Sequence, residues 1–252
     1  MSSNQKLVAT LACRNQGSRL YGKPVQNLDI ATGTRIIDNI IRCLQSIKIV
    51  DEIVLAISFG TENEIFKQIA SDHNLKFVVG DEEDVLLRLI SAGDSASATD
   101  VFRVTSESPF LYFEEVERCW ETYVSEQLDA LFLEPIIDGC GFEIMSLAAL
   151  KRSHLEGSPK HRSEMCSLYI RENTDLFNIA RIQPSTNLQR FDLRLTVDNP
   201  EDLVVCRHIY NAFKSLAPRI PVEEIIDFLD RNPQLIDLTS PFTESGYKTM
   251  FL

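Results

Sequence analysis

The chain has 252 residues, 44% of them hydrophobic, enough to fill the core of one large α/β domain or two modest ones and too much for a disordered chain. Its formal charge of −12 excludes a general nucleic-acid binder, because phosphate backbones are held on basic surfaces and no Lys/Arg tract is present. Any phosphate binding must therefore be local.

The N-terminal MSSNQK is polar, and the apolar run LVATLAC that follows is only seven residues long, so neither a signal peptide nor a membrane span is expected. LVATLAC suits a strand covered on both faces. It runs into a loop, Arg14 to Pro24, that concentrates Arg14, Arg19 and Lys23 with Gly17, Gly22 and Ser18. RIIDNIIRCLQSI then places Ile36, Ile37, Ile40, Ile41 and Leu44 at helical spacing. DEIVLAIS reads as a strand, ENEIFKQIASDH as a helix, LKFVVG as a strand, EDVLLRLISAG as a helix and DVFRVT as a strand.

Strands alternating with helices of this length predict an α/β fold with a mainly parallel sheet flanked by helices, and ligands bind such sheets at the carboxyl ends of the strands. The loops Arg14 to Pro24, Ser58 to Glu62, Gly80 to Asp84 and Thr105 to Phe110 are thus expected on one functional edge. Beyond Phe113 come a helix (EEVERCWETYVSE), a strand (LDALFLE), a turn-rich piece (PIIDGCGFEIMS) and helical stretches (LAALKRSH, SEMCSLYIREN). Strands FNIARIQP and FDLRLTVD follow, then helices PEDLVVCRHIYNAFKSL and VEEIIDFLDRN. A single domain over residues 1–252, with a protruding segment around 136–185, accounts for this order.

The six cysteines, Cys13, Cys43, Cys119, Cys140, Cys166 and Cys206, form no CxxC and sit beside no His pair at metal spacing. They are expected to be buried free thiols in a reducing cytoplasm.

Two sets of residues carry chemistry. Glycines in the first loop let the backbone approach a ligand, and Arg14, Arg19 and Lys23 supply charge-assisted bonds that suit phosphate. Neither GxxxxGK[ST] nor GxGxxG is present, and a solvated basic surface loop is the plainer alternative. Glu107, in TSESP, and Asp198, in TVDNPED, each end a predicted strand and together suit Mg²⁺, which takes oxygen ligands and bridges to substrate phosphates. Asp198 ahead of Asn199 and Pro200 also suits a helix cap.

In order along roughly residues 7 to 238 stand LACRNQGSRLYGKP, DEIVLAIS, GDEEDVLLR, VFRVTSESP, DGCGFEIMS, YIREN, LRLTVDNPEDL and VEEIIDFLDRNPQL. In these motifs the chain resembles the cytidylyltransferases that activate acidic sugars, of the 3-deoxy-octulosonate and acylneuraminate type, and most of all their spore-coat polysaccharide branch. The resemblance implies a Rossmann-like, GT-A-like nucleotidyltransferase fold and transfer of CMP from CTP to an acidic sugar for surface polysaccharide synthesis, by a homodimer requiring Mg²⁺. It places Ala12, Arg14, Gly17, Ser18, Arg19, Lys23 and Arg88 at the nucleotide, with Lys23, Arg14 and Arg19 facing the charge that develops. Glu107 and Asp198 fall at the metal, and Asp138 and Glu143 on the acceptor side.

The chain departs from the pattern at Ser106-Glu107 in place of Gly-Asp, at Gly141 in place of an acid, and at Met165 in SEMCS where the branch has a histidine. Two other readings stay open: a nucleotidyltransferase of the same fold using another NTP or a phosphorylated or phosphonate acceptor, and a non-catalytic nucleotide-binding protein. His73 and His208 are expected on helices as structural or exposed groups. His154 and His161 fall on the acceptor side, and none of these histidines is taken as a general base.

Overall fold

The computed structural model describes residues 5–250. The first strand, β1 (Leu7–Cys13), lies at the middle of a seven-stranded sheet ordered β5-β4-β1-β6-β8-β7-β9. From β1 the chain passes through a small hairpin, β2 (Asn27–Asp29) and β3 (Thr34–Arg35), into α1 (Ile36–Gln45). It then builds one half of the sheet with β4 (Glu52–Ser58), α2 (Glu64–Asp72) and β5 (Lys76–Gly80), each strand parallel to its neighbour. Helix α3 (Val85–Ser95) returns the chain across β1 to β6 (Asp100–Thr105), which pairs parallel on the other side of it. The loops after β1 and β6 therefore diverge at a switch in strand order, the place where open α/β sheets form their clefts.

The second half contains α4 (Val116–Ser125), β7 (Ala130–Leu133), β8 (Glu143–Ser146), α5 (Leu147–Glu156), α6 (Leu168–Glu172) and β9 (Ile179–Ile182). Only β8 runs against the rest, antiparallel to both β6 and β7. Helices α7 (Pro200–Ala212), α8 (Val222–Asp230) and α9 (Pro233–Met250) complete the chain.

Period-two alternation explains the two cores. Leu7, Ala9 and Leu11 of β1 point to the face covered by α1, α2, α4, α7 and α8, while Val8 points to the face covered by α3, α5 and α6. Truncating Leu11, which is fully buried, to alanine would cost about 3 kcal/mol by transfer and cavity terms. Helix α3 starts where Asp84 accepts from the Leu87 amide at 2.9 Å, and all six cysteines are free and buried as expected.

The predicted alternation of strands and helices up to residue 105 is present. Later, three expectations need correction. FDLRLTVD is not a sheet strand: Leu193, Leu195 and Val197 are buried, but the Leu195 amide bonds to the Asp138 carbonyl and that of Val197 to the Glu107 carbonyl. Its backbone partners are loops, so only an isolated Asp138–Arg194 bridge is formed. SEMCSLYIREN is helical only over Leu168–Glu172. Of the stretch expected to protrude, β8 and β9 lie within the sheet itself. Among the described residues no helix is long and apolar enough to cross a membrane.

Candidate active site

The loop after β1 is shaped by its glycines. Gly22 has φ 63° and donates to the Asn15 carbonyl at 2.8 Å, and a β-carbon on Gly17 would stand 2.5 Å from the Leu20 carbonyl oxygen. These constraints fold the loop back so that Lys23 opens a short 3₁₀ turn facing the sheet edge. The loop is also tied to the one after β4. Asn63, 1% exposed, accepts from the Asn15 amide at 2.8 Å and donates to Gln16 Oε1 at 3.2 Å and to the Phe59 carbonyl at 3.0 Å. Side-chain amides of Asn15 and Gln16 in turn reach Glu62.

Glu107 and Asp198 meet at the end of β6. Ser106 Oγ donates to the Ala12 carbonyl at 2.7 Å, and Ser108 bonds Thr196 at 3.0 Å. With the Val197 amide on the Glu107 carbonyl at 3.1 Å, the segment carrying Asp198 lies along the loop carrying Glu107. Oδ1 of Asp198 receives Lys23 Nζ at 2.5 Å and Arg19 Nη2 at 3.3 Å, while Oδ2 receives Arg194. The buried Arg194 guanidinium also holds Asp138 at 2.7 Å and Asp202 at 3.1 Å. Asp202, third in α7, accepts from the amides of Asp198 at 2.9 Å and Asn199 at 2.8 Å. The helix cap is therefore Asn199, and the Asp198 carboxylate is left to the cations.

Charge in this cluster is finely set. Burial opposes the Asp198 charge, but the Lys23 hydrogen bond and the charges of Lys23, Arg194 and Arg19 bring its carboxyl below the usual range. Glu107 goes the other way: burial raises it, Lys23 opposes, and Asp198 and Glu164 add to the rise. Asp138 is raised to about 6 by burial, against the pull of Arg194.

On the flank, Arg88 of α3 is 2% exposed, and among the described residues its Nε and Nη1 have no hydrogen-bond partner. It lies in the electrostatic reach of Cys13 and Arg14, at the foot of the first loop. Gly80 admits its stem, since a β-carbon there would stand 2.9 Å from Arg88 Cγ. Arg14 itself pairs with Glu164 at 3.2 Å, both exposed, and Ser18 is exposed at the loop's crest.

Glu143 stands farther along the sheet, opposite Arg103, in an ionic ladder. Its oxygens take Arg103 at 2.7 Å, Arg171 at 2.9 Å and Ser167 Oγ at 2.6 Å, and Arg171 continues to Glu134 at 2.7 Å. Arg103 donates a further bond to the Glu164 carbonyl at 2.8 Å, so the segment holding Met165 is tied to the same ladder. His154 contacts Asp84 at 2.8 Å and His161 contacts Glu172 at 2.8 Å.

The structure thus gathers Lys23, Arg19, Glu107 and Asp198 directly, with Asp138 joined through Arg194. Arg14 and Arg88 border them, and Glu143 stands apart. Sequence reasoning passed over Arg194, Asp202 and Asn63. Only the fourth-residue spacing of Arg194, Asp198 and Asp202 hinted at the first two. Among the described residues no three His, Cys, Asp or Glu side chains are grouped to hold a metal. Two carboxylates beside a cationic loop nonetheless fit Mg²⁺, a hard cation that takes oxygen ligands and completes its shell with water.

No protein-family model matches the chain. It is 26% identical over 244 residues to an uncharacterized protein of Methanocaldococcus jannaschii, covering 96% of this chain and 98% of that one. It is 23% identical over 228 residues to the spore coat polysaccharide biosynthesis protein SpsF of Bacillus subtilis, covering 88% and 93%. A cytidylyltransferase from Leptospira borgpetersenii superposes with TM-score 0.83 at 19% identity over 92% of this chain and 97% of that one. The CMP:2-keto-3-deoxy-manno-octonic acid synthetase, solved with CTP, superposes with TM-score 0.63 at 14% identity over 82% and 99%. The mixed sheet flanked by helices is the Rossmann-like nucleotidyltransferase fold of these cytidylyltransferases.

Proposed function

We propose that the chain is a cytidylyltransferase, which moves CMP from CTP to the hydroxyl of an acidic sugar of the 3-deoxy-octulosonate or nonulosonate type and releases pyrophosphate. The observation that carries this reading is the convergence of Lys23 and Arg19 on Asp198 beside Glu107, where the sheet changes strand order. The acceptor hydroxyl oxygen bonds to the α-phosphorus as its proton passes to solvent and the bond to the bridging oxygen breaks, and the electron pair leaves with pyrophosphate. Such transfer needs preorganised positive charge more than covalent help from the protein.

Lys23, Arg19 and Arg14 turn to the triphosphate and neutralise the charge that builds on the leaving group. Glu107 and Asp198 would hold Mg²⁺, which when bound polarises the α-phosphate and makes the attacking hydroxyl more acidic. Lys23 and Arg194 keep Asp198 ionised, and the loop of Asp138, whose carboxylate anchors Arg194, borders the acceptor side. Arg88 reads the base. A guanidinium only donates, and cytosine presents two adjacent acceptors, O2 and N3, where uracil places an N–H at N3. The name of the Bacillus subtilis relative supports a role in surface polysaccharide synthesis.

Incubation with each NTP, Mg²⁺ and either 3-deoxy-octulosonate or acylneuraminate, followed by pyrophosphate release, tests the proposal. CTP with one of these acids should give turnover. Turnover with a different NTP, or with none of the acids, overturns it.

A further inference from the structure

The last helix ends against the charged cluster. At Gly246 of α9 a β-carbon would overlap Nη1 of Arg194 and come 2.8 Å from Oδ2 of Asp138, so only glycine lets the helix lie on this ion pair. The next residue fixes the backbone around it. Tyr247 Oη accepts from the Asp138 amide at 3.0 Å and bonds the carbonyls of Arg190 at 2.9 Å and Leu193 at 3.1 Å. Its ring packs edge-on against Phe191, centroids 5.1 Å apart. Burial raises the phenol's pKa, which keeps the hydroxyl protonated and able to donate while it accepts.

These contacts close a circuit. The Asp138 loop and the Arg190–Leu193 turn are the two backbone segments that place Asp138 and Arg194, and Arg194 in turn holds Asp198. The Asp138 carbonyl also receives the Leu195 amide at 2.8 Å, so a shift at one segment is passed to the other.

We propose that Gly246 and Tyr247 are positioning residues, through which α9 clamps Arg194 and the Asp138 loop and so holds Asp198 in place for nucleotidyl transfer. The assignment rests on the function proposed above, and it deepens that reading by making the C-terminal helix part of the site's scaffold.

The test uses Tyr247→Phe, which keeps the ring and loses the hydroxyl, and Gly246→Ala, with Ser240→Ala, an exposed position earlier in the helix, as control. Misplacing a preorganised group by about an ångström costs on the order of 100-fold in rate. Gly246→Ala is expected to lower kcat by about that factor, and Tyr247→Phe by about tenfold, with KM for CTP within about threefold in both. Amide exchange across residues 136–140 and 190–198, read by mass spectrometry, should quicken in both variants and not in the control. Wild-type exchange and wild-type kcat in Gly246→Ala and Tyr247→Phe overturn the proposal. So does a lowered melting temperature with unchanged kcat and exchange. If the wild type transfers no nucleotide, the proposed function fails, and the exchange measurement still decides whether α9 holds these segments.

Discussion

Nζ of Lys23 lies 2.5 Å from Oδ1 of Asp198, joining the first loop to a segment 175 residues farther along the chain. Arg19 and Arg194 share the same carboxylate, so three protein cations converge on Asp198. On the function proposed above, a divalent ion arriving alone would have to compete with them, whereas a triphosphate would draw Lys23 and Arg19 away first.

Calorimetry should therefore show Mn²⁺ or Mg²⁺ binding at least about tenfold more tightly with CTP present than without. Lys23→Ala should cut turnover by roughly 10²–10³, the usual loss for one preorganised electrostatic group, while the protein still folds. The same variant should bind the metal alone more tightly than wild type, because one competitor for Asp198 is gone. Unchanged turnover would remove the loop from the mechanism.

Asn63 braces the first loop from behind. It is buried and bonds the Asn15 amide, Gln16 and the Phe59 carbonyl. Asn63→Ala leaves buried groups unpaired and should destabilise the fold by about 1–3 kcal/mol. It should also raise KM for CTP, since the loop carrying Arg14, Arg19 and Lys23 loses its tether. Urea midpoints and steady-state kinetics check the pair of effects, and a stability loss without a change in KM would limit Asn63 to the fold.

How far the sequence was legible follows from where its partners lie. The runs LVATLAC and DEIVLAIS declared themselves as strands because both faces are buried, and the loop after the first was found from charge against an acidic background. FDLRLTVD shows the limit. Its alternating pattern is real, with Leu193, Leu195 and Val197 inside, but its hydrogen bonds go to loops whose position no local pattern reveals. Arg194 was passed over for the same reason: its partner Asp138 is 56 residues away. The last helix was hidden by Pro241 and Gly246, residues that argue against a helix until the contact of Gly246 with Arg194 is seen.

Glu143 makes a pH-dependent contribution. Burial penalises its charge, yet Arg103, Arg171 and Ser167 carry its pKa from 4.5 down to about 2. The unfolded chain binds this proton near the higher value and the folded chain only near the lower. The stabilisation, roughly 3 kcal/mol, is thus complete above the higher value and is lost as pH falls toward the lower. Glu143→Gln, which leaves Arg103 and Arg171 facing a neutral group, should cost about 3–5 kcal/mol at neutral pH. The gap between the variant and wild type in urea unfolding should narrow as the solution is made more acidic. A gap that stays constant with pH would show that the carboxylate is not the source.

Arg88 offers the sharpest separation of fold from function. Its guanidinium is buried with Nε and Nη1 unpartnered, and burial lowers its pKa, so the free protein carries an uncompensated cost at this position. Replacing it by an apolar side chain of similar length removes that cost. Arg88→Met should therefore stabilise the nucleotide-free protein by about 1–3 kcal/mol. On the function proposed above, one of these donors goes to a cytosine acceptor, so the same change should weaken CTP binding by at least about tenfold and erode the preference for CTP over UTP. Melting curves with and without nucleotide read both effects at once: the variant should melt higher than wild type alone and gain less from CTP. A variant that loses stability without nucleotide and keeps its selectivity would return Arg88 to a purely structural part.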